Sequence, residues 1–360
     1  MRNKWIAYLL LITAWAAAQD YKIAQPGYDF QFPRDYFNHE DYQTEWWYYT
    51  GNIRSADGHR YGYELTFFRQ GVSRAEGNSP WFVRDLWMAH IALSDIGGQR
   101  FYSEERLNRS GPGLAGVDAP GGLVWNGNWQ ARIAEKREEL RGVADKFSLS
   151  LKLIPVKRPV IQGQNGVSQK AEGAGHASHY FSLTRLLTSG SIELGGSTYT
   201  VEGTSWMDHE FFTESMATDE TGWDWLSVQT ADGAELMLYR LRHKDGGIDS
   251  YSSGSYVDAS GTSQFLGASE FVMTPAGETW TSPSTRAHYP VRWHVSIPRL
   301  KIEFDVSTPL KSQELSGGFG PGYWEGAIDV SGVRDKLPLD GVGYLEMTGY
   351  ADPGKPLVPR

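Results

Sequence analysis

The run Glu45-Trp46-Trp47-Tyr48-Tyr49-Thr50-Gly51, followed by Ala56-Asp57-Gly58 and Glu64-Leu65-Thr66-Phe67-Phe68-Arg69, decides the fold because its order returns later in the chain. The second copy reads Trp223-Asp224-Trp225, then Ala231-Asp232-Gly233, then Glu235-Leu236-Met237-Leu238-Tyr239-Arg240. Each copy is a Trp-rich strand, an Asp-Gly turn, and a second strand that opens on Glu-Leu and closes on Arg. Asp-Gly suits the positive-φ positions of a tight hairpin. The copies are offset by 175 residues at the turn and 171 at the Glu-Leu pair, close to half of the 360-residue chain. That spacing points to duplication, with a boundary near Ser205 and two halves, residues 19–205 and 206–360.

Outward from the repeat the pattern is strand. Phe147, Leu149, Leu151 and Leu153 alternate with Ser148, Ser150 and Lys152, and Leu300, Ile302, Phe304 and Val306 alternate with Lys301, Glu303 and Asp305. Period-two alternation of this kind is a half-buried strand. Further strands are predicted at 46–53, 61–69, 87–94, 179–186, 223–229, 235–241, 291–297, 323–330 and 343–350. Residues 135–140 read as strand or hairpin. The clearest strands have one apolar and one polar face, so the expected architecture is all-β: antiparallel sheets, closed as barrels or stacked as a sandwich. Two Gly/Pro-rich stretches, 110–122 and 155–175, are expected to be lids or binding loops, or else disordered.

Residues 1–18 read as a signal peptide. Arg2 and Lys4 precede an apolar run too short to span a bilayer, and Ala16-Ala17-Ala18 supplies small residues for a cut after Ala18. The expected location is periplasmic or secreted. There is no cysteine, so neither a disulfide nor a lipid-modified cysteine can anchor the exported chain. The formal charge is −9, or −11 once the leader and its two cations are gone, which argues against nucleic acid as a partner.

Several blocks resemble the AttH-like family, which includes the carotenoid 1,2-hydratases (hydroxyneurosporene synthases). They are Thr44-Glu45-Trp46-Trp47-Tyr48-Tyr49-Thr50-Gly51-Asn52, Ser178-His179-Tyr180-Phe181-Ser182-Leu183-Thr184-Arg185 and Gly203-Thr204-Ser205-Trp206-Met207-Asp208-His209-Glu210-Phe211. Tyr323-Trp324-Glu325-Gly326 and Gly343-Tyr344-Leu345-Glu346-Met347-Thr348-Gly349-Tyr350 complete the series. They run in order over nearly the whole mature chain. The resemblance implies two tandem lipocalin-like (calycin) antiparallel β-barrels, export in many bacterial members, and in some a locus that also encodes an ABC transporter. Fungal cyclases of the Diels–Alder type have a similar tandem fold, so fold alone leaves the chemistry open.

Asp208, His209 and Glu210 are the candidate catalytic residues. In a strand, Asp208 and Glu210 share one face and His209 takes the other. Hydrating an isolated alkene requires an acid strong enough to protonate carbon, a surface that stabilises the cation, and water to capture it. A carboxyl kept neutral by an apolar pocket supplies the first, and Trp faces supply the second. Trp46, Trp47, Tyr49, Trp206, Trp223, Trp225, Tyr323 and Tyr344 are the candidate ligand-binding residues. The hydratases place Asn-Trp after Asp-His, where this chain has Glu210-Phe211, and losing that Trp weakens the case for carotenoid hydration. Asp208 and His209 read equally well as a hydrogen-bonded lock at the turn between the halves.

His176 and His179 are three apart, a spacing suited to a helix, but they fall on a loop and a strand, and no His-Glu-x-x-His run exists; no metal and no cofactor are expected. Glu45, Glu64 and Glu235 need partners if they face a barrel interior, and Arg69 and Arg240 are at matching places in the repeat. No Gly-x-Ser-x-Gly elbow stands in a strand-turn-helix setting. The leading expectation is an exported binding protein whose halves each curl around an oily, aromatic-lined space for a lipid, isoprenoid or polyene, with ABC transporter components as possible partners. The alternative is a hydratase, isomerase or cyclase acting on an apolar polyene.

Overall fold

Alternating side chains and frequent turns leave this chain strand as its regular structure, with three 3-10 turns among the described residues as its helical content. The computed structural model describes residues 21–355 except 76, 78, 215, 216 and 218. The expected leader, the expected cut after Ala18 and the end of the C-terminal tail lie outside them.

The first sheet begins with a meander of β1 (Thr44–Ser55), β2 (Arg60–Gly71), β3 (Asp85–Asp95) and β4 (Arg100–Arg109). A second meander follows: β5 (Ala115–Asp118), β6 (Leu123–Asn126), β7 (Trp129–Ala134), β8 (Arg137–Val143) and β9 (Phe147–Pro155). The short β10 (Val160–Ile161) and β11 (Ser168–Gln169) lead into the long β12 (Ala177–Leu194) and β13 (Ser197–Phe212). The order across the sheet is β4-β3-β2-β1-β13-β12-β9-β8-β7-β6-β5, and β4 comes back against β5, giving a nearly closed antiparallel barrel.

The second sheet holds β14 (Glu220–Thr230), β15 (Glu235–His243), β16 (Ser253–Val257), β17 (Ser263–Gly267) and β18 (Val272–Pro275). β19 (Thr279–Thr281) and β20 (His288–Pro290) pair only with each other. The chain then returns through β21 (Arg292–Ile297), β22 (Ile302–Ser307), β23 (Glu314–Leu315), β24 (Tyr323–Arg334) and β25 (Leu337–Met347). The order β17-β16-β15-β14-β25-β24-β22-β21-β18 makes a half-barrel.

Strand pairing reproduces the repeat residue by residue. Glu45 is opposite Arg69 across β1 and β2, and Asp224 is opposite Arg240 across β14 and β15. Trp46 faces Phe68 on one side and Glu210 on the other; Trp225 faces Tyr239 and Glu346 in the same way. The division of the sheets falls later than the expected Ser205. β13 remains paired with β1 from Val201 to Phe212, so a cut at Ser205 would split a continuous strand.

The barrel interiors are filled rather than open. Trp47, Tyr49, Tyr63, Phe67, Trp129 and Phe181 are fully buried in the core of the first barrel, and Trp293, Tyr289 and Trp324 in that of the second. The one-face-wet pattern holds where a strand faces solvent, as in β9 and β22. It fails in β1, β2 and β13, which are buried on both faces along much of their length. Their outer face is covered by the other half. Tyr48 donates to Glu325 Oε1 at 2.6 Å, Gln229 Nε2 to the Thr184 and Ser205 carbonyls at 2.7 and 2.9 Å, and Arg60 pairs with Asp329 at 2.5 Å. Glu235 takes both Arg185 and Lys157 at 2.6 Å. The halves therefore meet through a buried polar and aromatic seam.

Candidate functional site

Between the halves lies a cleft. Strand alternation puts Trp46 and Tyr48 of β1, Thr66 and Phe68 of β2, and Asp208 and Glu210 of β13 on the outer face of the first barrel, where they line it. Tyr180 of β12 and Lys170, on the loop between β11 and β12, extend that wall. The facing wall is built by Trp223 and Trp225 of β14, Tyr239 and Leu241 of β15, Tyr323 of β24 and Glu346 of β25. The free space the walls enclose is about 80 Å³, and it opens to solvent at its mouth.

Asp208 is the best-buried acid that touches the space. Trp206 Nε1 donates to Oδ1 at 2.7 Å, Ser182 to Oδ1 at 2.5 Å, and Tyr180 to Oδ2 at 2.7 Å. Trp225 Nε1 in turn donates to the Tyr180 hydroxyl at 3.2 Å. Burial pushes the carboxyl up, the three donors pull it down, and the nearby Glu210 charge pushes it up again; the result is about 7. Glu346, on the opposite wall, accepts from Trp223 Nε1 at 3.1 Å and is raised by burial to about 8. Glu64, behind Thr66 and Tyr323, is raised by burial to about 7 despite hydrogen bonds from both. Glu325 is pushed well above the ordinary range by burial and by the charges of Glu64 and Glu346. Four carboxyls thus share a water-poor, aromatic setting in which the neutral form persists to near pH 7 or beyond.

Not every candidate named from the sequence reaches this space. Trp46, Trp223, Trp225, Tyr323, Asp208 and Glu210 line it. Trp206 lies behind Asp208, with its ring 6.2 Å from that of Trp225. Tyr344 is buried in the contact between the halves. Trp47, Tyr49 and His209 point the other way, into the first barrel, because they occupy the alternate positions of β1 and β13. His176 is on the loop before β12, and His179 bonds the Gly166 carbonyl at 2.7 Å, away from Asp208. The sequence reading omitted Tyr48, Phe68, Lys170, Tyr180 and Tyr239. Counting by two from Trp46 would have found Tyr48; Lys170, on an irregular loop, carries no such signal.

His209 belongs to a separate buried network. Its Nε2 is 2.9 Å and His39 Nδ1 is 2.8 Å from Glu45 Oε1, and Arg69 Nε is 3.0 Å from Oε2. Burial favours a neutral Glu45, but the bonds from His209 and His39 and the Arg69 charge outweigh it and hold the carboxyl well below its ordinary range. The ligand atoms of His39, Glu45 and His209 lie within 4.8 Å of one another, near enough for one cation. Arg69 already supplies the positive charge and both imidazoles already bond the carboxylate, while His209 Nδ1 stays buried without a hydrogen-bond partner. Of the pairings expected inside the repeat, Arg69 takes Glu45 and Asp85, Arg240 takes Asp224, and neither takes the Glu of its own strand. Among the described residues no helix is long and apolar enough to cross a membrane.

The AttH-like family profile matches residues 23–350, and the chain belongs to that family. The crystal structure of an AttH candidate from Nitrosomonas europaea is similar at 32% identity with a TM-score of 0.79, covering 91% of this chain and 99% of that one. Kievitone hydratase from Nectria haematococca is similar at 17% identity and a TM-score of 0.69, covering 89% and 93%. CghA with Sch210972 is similar at 14% identity and a TM-score of 0.57, covering 93% and 97%. The last two likenesses are of fold alone. No curated protein matches the sequence.

Proposed function

We propose that this AttH-like protein takes an apolar, unsaturated small molecule into the cleft between its barrels and carries out acid–base chemistry on it, as a hydratase, isomerase or cyclase. The observation that carries the reading is the buried Asp208 carboxyl, raised to about 7 by its dry surroundings, against aromatic walls. A protein that only held a hydrocarbon would gain from a plain apolar lining and would not need several carboxyls buried at a cost of several kcal/mol. Kievitone hydratase, of the same fold, is a hydratase by name.

Written as hydration, the step balances. The Asp208 proton passes to one alkene carbon, the π electrons form the new C–H bond, and the other carbon becomes a cation. Trp46, Trp223 and Trp225 present π faces to that charge. Water adds its oxygen to the cation, and its spare proton returns to the Asp208 carboxylate, closing the cycle. Isomerisation or ring closure uses the same cation but loses a proton, or forms a C–C bond, in place of water capture.

The second reading is a carrier that delivers the same guest unchanged to an ABC export system. It uses the same walls, and the proposed leader, with release into the periplasm or medium, suits both. The test is to incubate the mature protein with a lipid extract of its source cells in H2 18O and follow masses. Hydration predicts one labelled water gained by a specific compound with the wild type and not with Asp208→Asn, while both retain the compound. A guest recovered unchanged from both would leave the carrier and discard the enzyme.

A further inference from the structure

The two walls are built from equivalent positions, so the cleft ought to look alike from either end. Glu210 opposite Trp46 matches Glu346 opposite Trp225. Two positions on, the match lapses, with Asp208 opposite Tyr48 where the second half has Tyr344 opposite Ser227, and the one basic residue that lines the cleft stands outside the repeat. Lys170 comes from the loop between β11 and β12, is pinned there by its backbone N–H to the His176 carbonyl at 2.8 Å, and brings an ammonium into the first wall. Its Nζ lies 3.4 Å from Glu210 Oε1, 3.9 Å from the centre of the Tyr239 ring and 5.4 Å from that of Tyr180. Glu346, at the matching place, has a neutral indole donor instead.

We propose that the guest carries an acidic oxygen, a carboxylate or an enolate, at one end, and that Lys170 receives it. The inference rests on the reading of the cleft as a site for an apolar unsaturated molecule, and adds the polar end and the direction of entry. Lys170 is 9% exposed and lines the cleft. A pure hydrocarbon closing over it would strip water from the ammonium and return nothing. An anionic oxygen would instead complete the ammonium, which has three donors to place and a carboxylate partner at the long distance of 3.4 Å. With the acidic end fixed at Lys170, the carbon chain runs along Tyr180 and Trp225 past Asp208. One end of the cleft thus sets which carbon the acid meets.

The test uses a polyene available as acid and ester. Purified mature protein is titrated at pH 8 with cis-parinaric acid and with its methyl ester, read by energy transfer from tryptophan. Wild type should bind the acid about tenfold or more tighter than the ester, the value of a charge-assisted bond. Lys170→Met should bring the acid down to the ester's affinity and leave the ester unchanged, and Lys170→Arg should restore the preference. Glu210→Gln, which removes the present partner, should tighten the acid alone. Equal binding of acid and ester by the wild type, which needs no variant to fold, overturns the proposal. So does a preference that survives in a folded Lys170→Met. If the wild type binds neither probe, the reading of the cleft itself fails and takes this inference with it.

Discussion

Replacing Asp208 by Asn should produce a protein that is weaker than the wild type in acid and stronger in base. On burial the Asp208 carboxyl moves from its ordinary 3.8 to about 7. At 1.36 kcal/mol per pH unit, that difference is worth about 4 kcal/mol. The folded pKa is raised, so the associated stability is fully present below pH 3.8, declines between there and 7 as the unfolded chain releases a proton the folded one keeps, and is gone above it. Asn is neutral throughout and escapes the decline. It has its own cost: the amide nitrogen cannot accept the Tyr180 hydrogen bond that Oδ2 now takes at 2.7 Å, a loss of about 1 kcal/mol. The wild type should therefore lead by about 1 kcal/mol well below pH 3.8, by about 0.4 kcal/mol at pH 4, and trail by about 3 kcal/mol at pH 8, with the curves crossing at about pH 4.5. Urea unfolding followed by tryptophan fluorescence at fixed ionic strength measures this. Glu64 and Glu346 titrate in both proteins and largely cancel in the difference. Parallel curves that never cross would refute the account of a carboxyl held neutral at this place.

Two further substitutions probe the frame around the cleft. Arg69→Met leaves the fully buried Glu45 without its guanidinium and strands the Asp85 carboxylate and the His39 and Tyr42 carbonyls that Arg69 also reaches, so unfolding should come about 3–5 kcal/mol earlier in a denaturant titration at pH 7; under about 1 kcal/mol would mean the charge is not carrying Glu45. Gly62→Ala places a methyl 2.7 Å from the Ala327 Cβ and 2.9 Å from the Tyr344 hydroxyl, across the contact between halves, and should cost about 1–3 kcal/mol with a red shift of tryptophan emission as the cleft is pried open; an unchanged melting temperature and spectrum would show the halves to be looser than described.

The sequence by itself determined the strands, the duplication and the family. Alternation of Phe147, Leu149, Leu151 and Leu153 is a local signal that needs no partner to be read, and β9 carries it intact. The repeat was legible because each half solves the same local problem with the same pieces. Even the faces of β13 were legible, since the period of two puts Asp208 and Glu210 on one side and His209 on the other.

What alternation cannot say is which face meets what. A strand with Trp at 46 and 47 and Tyr at 48 and 49 offers aromatics to both sides, and only the docking of the halves decides that Trp46 and Tyr48 line a cleft while Trp47 and Tyr49 fill a core. The space expected inside each barrel is replaced by a cleft between the halves, because large side chains close the interiors and the second half covers the outer face of β1, β2 and β13. The acidity of Asp208 is tertiary for the same reason. Its donors include Tyr180, and its dry surroundings include Trp225 and Tyr239 from the other half. Desolvation is a property of everything packed around a group, and no window of sequence contains it.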